Sequence, residues 1–167
     1  MSIMRAKSLR AIILRKEGDT VSSALDRLKN LTAQISSYEL ERKNNLKTVE
    51  ELYTKLAIFN KVENFSDLFE FKAINLSGIS LGDEDLGAIK EGKYAQIIGI
   101  LYDGQAKVKN KNISLAYYGR AEKVGDERKK DIITFILGWR FEKSFRTLEH
   151  YHNLMGQIKN LPREEEC

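Results

Sequence analysis

Apolar residues recur at alternating intervals of three and four between residues 21 and 59, and nothing else in the chain constrains its fold so tightly. With Val21 at heptad position a, the a positions are Val21, Leu28, Ile35, Arg42, Val49 and Leu56. The d positions are Ala24, Leu31, Tyr38, Asn45, Leu52 and Phe59. Ten of these twelve are apolar, against about five expected at random from a chain that is 42% apolar. A helix needs this spacing to keep one stripe turned toward a partner. The spacing therefore predicts a long amphipathic, coiled-coil-like helix whose seam interface includes Leu28, Leu31, Ile35, Tyr38, Val49, Leu52 and Leu56.

Two features complicate a simple two-stranded coil. Leu25, Leu46 and Tyr53 fall at e positions and widen the stripe, which suits a bundle or packing against the rest of the chain. Arg42 and Asn45 place polar groups in the seam at its middle, where they either fix register or mark a bend. Thr48 and Glu51 have the spacing of a capping box, so a second helix of a hairpin could begin there. Unchanged heptad phase favours one continuous helix. A straight helix at Arg42 implies a partner chain, and a turn there implies an internal core.

Ahead of the seam, residues 1–16 carry Arg5, Lys7, Arg10, Arg15 and Lys16 and no acid. On a helical wheel these cations scatter, so residues 9–14 read as a short edge strand, with a nucleic-acid or membrane-surface arm and a cleaved address as rival readings. Gly18 should break the chain, and Asp19 or Thr20 should cap the long helix. Residues 60–64 should end it.

The period then changes. Phe69, Phe71 and Ala73 alternate with Glu70 and Lys72, as in a half-buried strand. Residues 94–102 are apolar on both faces apart from Gln96, the mark of a central strand. Asp103-Gly104 signals a tight hairpin. A return strand through Ala106 and Val108, a second turn at residues 110–112, and a strand from Ile113 to Tyr118 with an extension toward Val124 complete an antiparallel meander of three to four strands. Asp126 should cap a long C-terminal helix whose apolar spacing runs from Ile132 to Ile158, covering the sheet first and running beside the long helix later. Pro162, the sole proline, stops it. The expected fold is α+β, divided as arm 1–18, helix or helical hairpin 19–64, small α+β domain 65–161 and tail 162–167.

Chemistry is sparse. His150 and His152 are the only histidines, and on a helix they point roughly 200° apart, too far to grip one metal. Asp83, Glu84 and Asp85 lack the alternating ligands of a calcium loop and read as a solvated turn. There is no phosphate-cradling glycine loop, no dinucleotide fingerprint and no nucleophile elbow. The single cysteine, Cys167, excludes an intramolecular disulfide and fits a reducing, cytoplasmic or other intracellular compartment. No apolar run approaches the roughly 18 residues of a membrane span. These features point away from an enzyme and call for no cofactor or metal.

One composite feature suggests a ligand. Lys93, Lys107, Lys109, Lys111, Arg120 and Lys123 face only Asp103 and Glu122 between residues 93 and 125, with tyrosines interleaved. Cations track phosphates while rings stack on bases, so Lys93, Lys107, Lys109, Lys111, Tyr117, Tyr118 and Arg120 form a candidate polyanion surface. The ordinary alternative is that lysines on a wet strand face keep a sheet edge unpaired. A net charge of +4 permits such a partner without demanding it. The leading expectation is a non-catalytic assembly or adaptor protein that meets a protein partner or a second copy through its helix. The rival is a nucleic-acid-binding protein using the meander and the basic arm.

Overall fold

The structure is a computed structural model that describes residues 2–164, with side chains from Ser23 onward. Its elements run α1 (Ser2–Lys55), β1 (Ala73–Ser77), β2 (Tyr94–Tyr102), β3 (Asn110–Arg120) and α2 (Asp126–Gln157), with 3₁₀ turns at Ile58–Asn60, Phe65–Glu70, Ala121–Lys123 and Ile158–Asn160. This is an α+β architecture. The chain divides into two compact units, Met1–Glu41 and Arg42–Cys167.

The first unit is helix. Residues 9–14, expected as an edge strand, are helical, and neither Gly18 nor a cap at Asp19 or Thr20 interrupts α1. Residues 1–16 are rich in Ala, Leu, Met, Lys and Arg, all strong helix formers. One glycine costs a helix only about 1 kcal/mol relative to alanine, too little to end it between such neighbours.

The second unit begins inside the predicted seam, at Arg42. Residues 42–45 are helical, so the hairpin alternative fails. Thr48 does not cap a new helix: its hydroxyl donates back to the Asn44 carbonyl at 3.1 Å. From here Val49, Leu52, Tyr53 and Leu56 are buried in one core with Ile132, Phe135, Ile136 and Trp139 of α2. Gly138 explains the close approach of the two helices. A Cβ there would lie 2.6 Å from Val49 Cγ2 and 2.8 Å from Asn45 Oδ1. Ala57, in the left-handed region at φ 57°, ends the helix ahead of the 3₁₀ turn and leaves Phe59 exposed.

The sheet has three antiparallel strands in the order β1-β2-β3. Ala95 and Ile97 of β2, Ile74 of β1 and Leu115 of β3 turn into the core. Gly99 leaves room for the Phe71 ring, which would sit 2.5 Å from an added Cβ. The predicted strand through Phe69 and Phe71 is instead a 3₁₀ turn followed by an extended residue. Both rings are buried, and Trp139 Nε1 donates to the Leu68 carbonyl at 2.8 Å across this turn.

The hairpin also differs from expectation. Asp103 accepts from the Gln105 N–H at 3.0 Å, which bends the chain into a wider loop closed by Asp103 N–H to the Lys109 carbonyl at 2.7 Å. The expected return strand at residues 105–109 is therefore loop, and the expected turn at residues 110–112 is strand paired with β2. At the other end, Gly119 at φ +81° leads into a 3₁₀ turn, so β3 does not extend to Val124. Gly125, not Asp126, occupies the N-cap of α2; Asp126 sits in the first turn, where a carboxylate favours the helix dipole.

Candidate interaction surfaces

Position along α1 decides what the seam does. Val49, Leu52 and Leu56 are spent on the chain's own core. Leu28, Leu31, Ile35 and Tyr38 are 53–61% exposed, and Leu25 and Leu40 are exposed beside them. A continuous heptad pattern thus serves two different environments: within α1, the described seam residues before Arg42 are exposed and the apolar ones after it are buried.

The two polar seam residues mark the changeover. Asn45 Nδ2 donates to the Gly138 carbonyl of α2 at 2.9 Å. Arg42 turns its guanidinium to Glu142, a residue only 1% exposed, and to Glu149, with the Phe145 ring 5.0 Å from its carbon centre. The hydrogen bond from Arg42, followed by its charge, holds the Glu149 carboxyl below its usual range, while the hydrogen bonds to Glu142 first and Glu149 second raise Arg42. Both polar residues are satisfied within the second unit.

Past this clamp α2 shows another apolar stripe. α2 runs beside α1 from Gly138 to Glu149, and from the end of that contact Leu148, Tyr151, Met155 and Ile158 follow the same three-and-four spacing and are exposed. His150 and His152 lie exposed on this part of α2. Asp85 is tied down by Ser80, whose hydroxyl donates to Oδ1 at 2.7 Å. Among the described residues no group of three His, Cys, Asp or Glu could hold a metal ion. No described helix is long and apolar enough to cross a membrane.

The sheet does not keep the candidate polyanion residues together. Lys93 directly precedes β2, and Arg120 is the cross-strand partner of Tyr94. Tyr94 and Tyr117 are exposed, with ring centroids 5.8 Å apart and planes tilted by 35°. These four residues share one end of the sheet. Lys107 and Lys109 lie in the loop at the opposite end of β2, and Lys111 pairs with Leu101 beside that loop. A nine-residue strand at about 3.3 Å per residue puts the two groups roughly 26 Å apart.

Tyr118 belongs to neither group. It is half-buried, the Arg128 guanidinium lies 5.6 Å from its ring centroid, and its hydroxyl oxygen is buried without a hydrogen-bond partner. Burial pushes its pKa up to about 12, slightly offset by Arg128. Sequence reasoning missed the surroundings of Tyr118, because the residues beside it come from the end of α1, the following turn and the start of α2.

No known protein family matches the chain, and neither the curated proteins nor the solved structures contain a match to it.

Proposed function

We propose that this is a non-catalytic assembly protein in which the exposed part of the α1 seam pairs with a second copy of the chain. The observation that carries this reading is the exposure of Leu28, Leu31, Ile35 and Tyr38 on an unbroken heptad, with the polar seam residues already satisfied inside the chain. Fully burying a large apolar side chain contributes about 1.5–3 kcal/mol. Eight such residues across a symmetric pair would offset an association cost of about 4–15 kcal/mol. The exposed stripe of α2 offers further apolar surface for the same purpose.

Sedimentation equilibrium tests the reading. The parent chain should self-associate at tens of micromolar, and Leu31→Glu with Ile35→Glu should give a monomer with unchanged unfolding of the second unit. A parent that sediments as a monomer, with no partner recovered on pull-down, removes it.

A second reading is supported by the Tyr94 and Tyr117 rings beside Lys93 and Arg120. Two exposed rings flanked by cations suit single-stranded nucleic acid, with bases stacked on the rings and phosphates met by the charges.

A further inference from the structure

A cavity of about 360 Å³ lies where the end of α1, the turn after it, β3 and the start of α2 meet. Its volume falls in the range of small-molecule sites. One wall is Lys55, Leu56 and Ala57, continued by Asn60 and Lys61. The opposite wall is residues 115–118 of β3. Successive strand residues point to opposite faces, so a cavity touching four in a row lies against the strand's edge. β3 is an edge strand, and alternate backbone N–H groups along that edge have no strand to pair with. Arg128 completes the lining.

The polar chemistry is one-sided. Lys55, Lys61 and Arg128 are cationic, and no acidic residue lines the cavity. Lys55 is already engaged, at 2.7 Å by Asp131 and 3.3 Å by Glu127. Lys61 and Arg128 have no carboxylate within salt-bridge distance among the described residues. Arg128 is exposed and rests on the Tyr118 ring, so its head can swing toward a ligand without breaking an ion pair. Asn60 adds a carboxamide, and the Tyr118 hydroxyl stays protonated at neutral pH with no partner of its own. The C-terminal end of α1 opposes an anion with about half an elementary charge, which two free cations outweigh. The Tyr118 ring, under Arg128, supplies the aromatic wall, while Tyr117 turns its ring to the other face of the sheet beside Tyr94.

We infer that this cavity binds a small phosphorylated molecule with a planar ring, of the size of a nucleoside monophosphate. Arg128 and Lys61 take the phosphate, and the Tyr118 ring takes the planar ring. The site lies within the second unit and is independent of self-association through α1.

Titration of the full chain with adenosine monophosphate, followed by backbone amide NMR at constant ionic strength, tests it. Saturable shifts should centre on Asn60, Lys61, Tyr118 and Arg128, and inorganic phosphate should compete. Arg128→Gln and Lys61→Gln, both at exposed positions, should each weaken binding about tenfold, as loss of a charge-assisted hydrogen bond does. Lys107→Gln at the far loop should change nothing. Several results would overturn the inference: no saturation by about 10 mM, tenfold above a millimolar dissociation constant; equal loss in Lys107→Gln; adenosine binding as tightly as its monophosphate; or a tetraglutamate peptide saturating these amides while the nucleotide does not.

Discussion

Arg42 grips Glu142 with two parallel hydrogen bonds, Nε to Oε2 and Nη2 to Oε1, each 3.0 Å long. Its third nitrogen donates to Glu149 at 2.6 Å, while Arg146 donates to Glu142 Oε1 at 3.1 Å. A carboxylate as buried as Glu142 is tolerable only with such partners. Arg42→Ala should therefore lower stability by about 3 kcal/mol, the lower part of the range for breaking a buried pair because Arg146 remains. Arg42→Lys should recover only part of it, since an ammonium cannot form the planar fork. Urea unfolding with an unchanged m-value is the measure. A loss below about 1 kcal/mol, the worth of an exposed pair, would mean that Arg146 alone satisfies Glu142.

The same cluster sets an acid response. The folded-state pKa of Glu149 is lowered by Arg42, so the native state binds fewer protons than the unfolded chain just below the usual carboxylate range. The resulting stability is present above the unfolded pKa and disappears as pH falls through the folded one. Glu149→Gln should flatten the decline of stability between about pH 5 and the acid limit, relative to the parent. A parallel decline in both proteins would show that Arg42 spends its charge on Glu142 alone.

Gly138 tests the helix contact from the other side. In an isolated helix, replacing glycine by alanine gains about 1 kcal/mol. Here the new methyl would collide with Val49 and Asn45, two neighbours fixed by the core and by the hydrogen bond to the Gly138 carbonyl. Overpacking of this kind costs about 1–3 kcal/mol, so Gly138→Ala should come out destabilising despite the better propensity. A raised melting temperature would show that α1 and α2 can part at this point without loss.

These residues also show what was legible beforehand. The heptad gave the helix, and nothing local could say that Val49 is covered by the chain itself while Ile35 is not. The answer lies in partners of Arg42 and Asn45 that are 100 and 93 residues away. β2 was readable to its end residues, because a strand buried on one face and half-buried on the other is apolar on both, broken here only by Gln96. The hairpin was not, because one side-chain acceptor on Asp103 converts an expected two-residue turn into a loop that absorbs a predicted strand. The cavity beside Tyr118 was invisible, being assembled from three separated segments. In the sequence the lysines look like one surface, since sequence proximity cannot show that β2 carries them to opposite ends of the sheet.

Tyr118 gives an alkaline counterpart to Glu149. Burial raises its pKa to about 12, above the value of about 10 for a free phenol. The native state then holds a proton that the unfolded chain has lost, so this contribution is full below about pH 10 and is lost as pH rises toward 12. Tyr118→Phe should remove the latest step of the phenolate absorbance titration and reduce the fall in stability across that window. At neutral pH it should melt at or above the parent temperature, because a buried hydroxyl without a partner costs about 1–3 kcal/mol. A lower melting temperature would mean that the hydroxyl is bonded in solution.

The two ends of the sheet make opposite claims about nucleic acid, and a salt series separates them. If single strands stack on Tyr94 and Tyr117, the phosphates they bring must be met by Lys93 and Arg120. Each phosphate contact on a single strand contributes about 0.7 to the slope of log affinity against log salt. Lys93→Glu with Arg120→Glu should then lower that slope by about 1.4, and Tyr117→Ala should cost about 1–3 kcal/mol of binding. Lys107, Lys109 and Lys111 changed to Glu should leave the slope unaltered, because they lie roughly 26 Å away along β2. Equal losses at both ends would restore the whole meander as the surface, and a flat response to salt in the parent would leave the lysines as the charges that keep an edge strand unpaired.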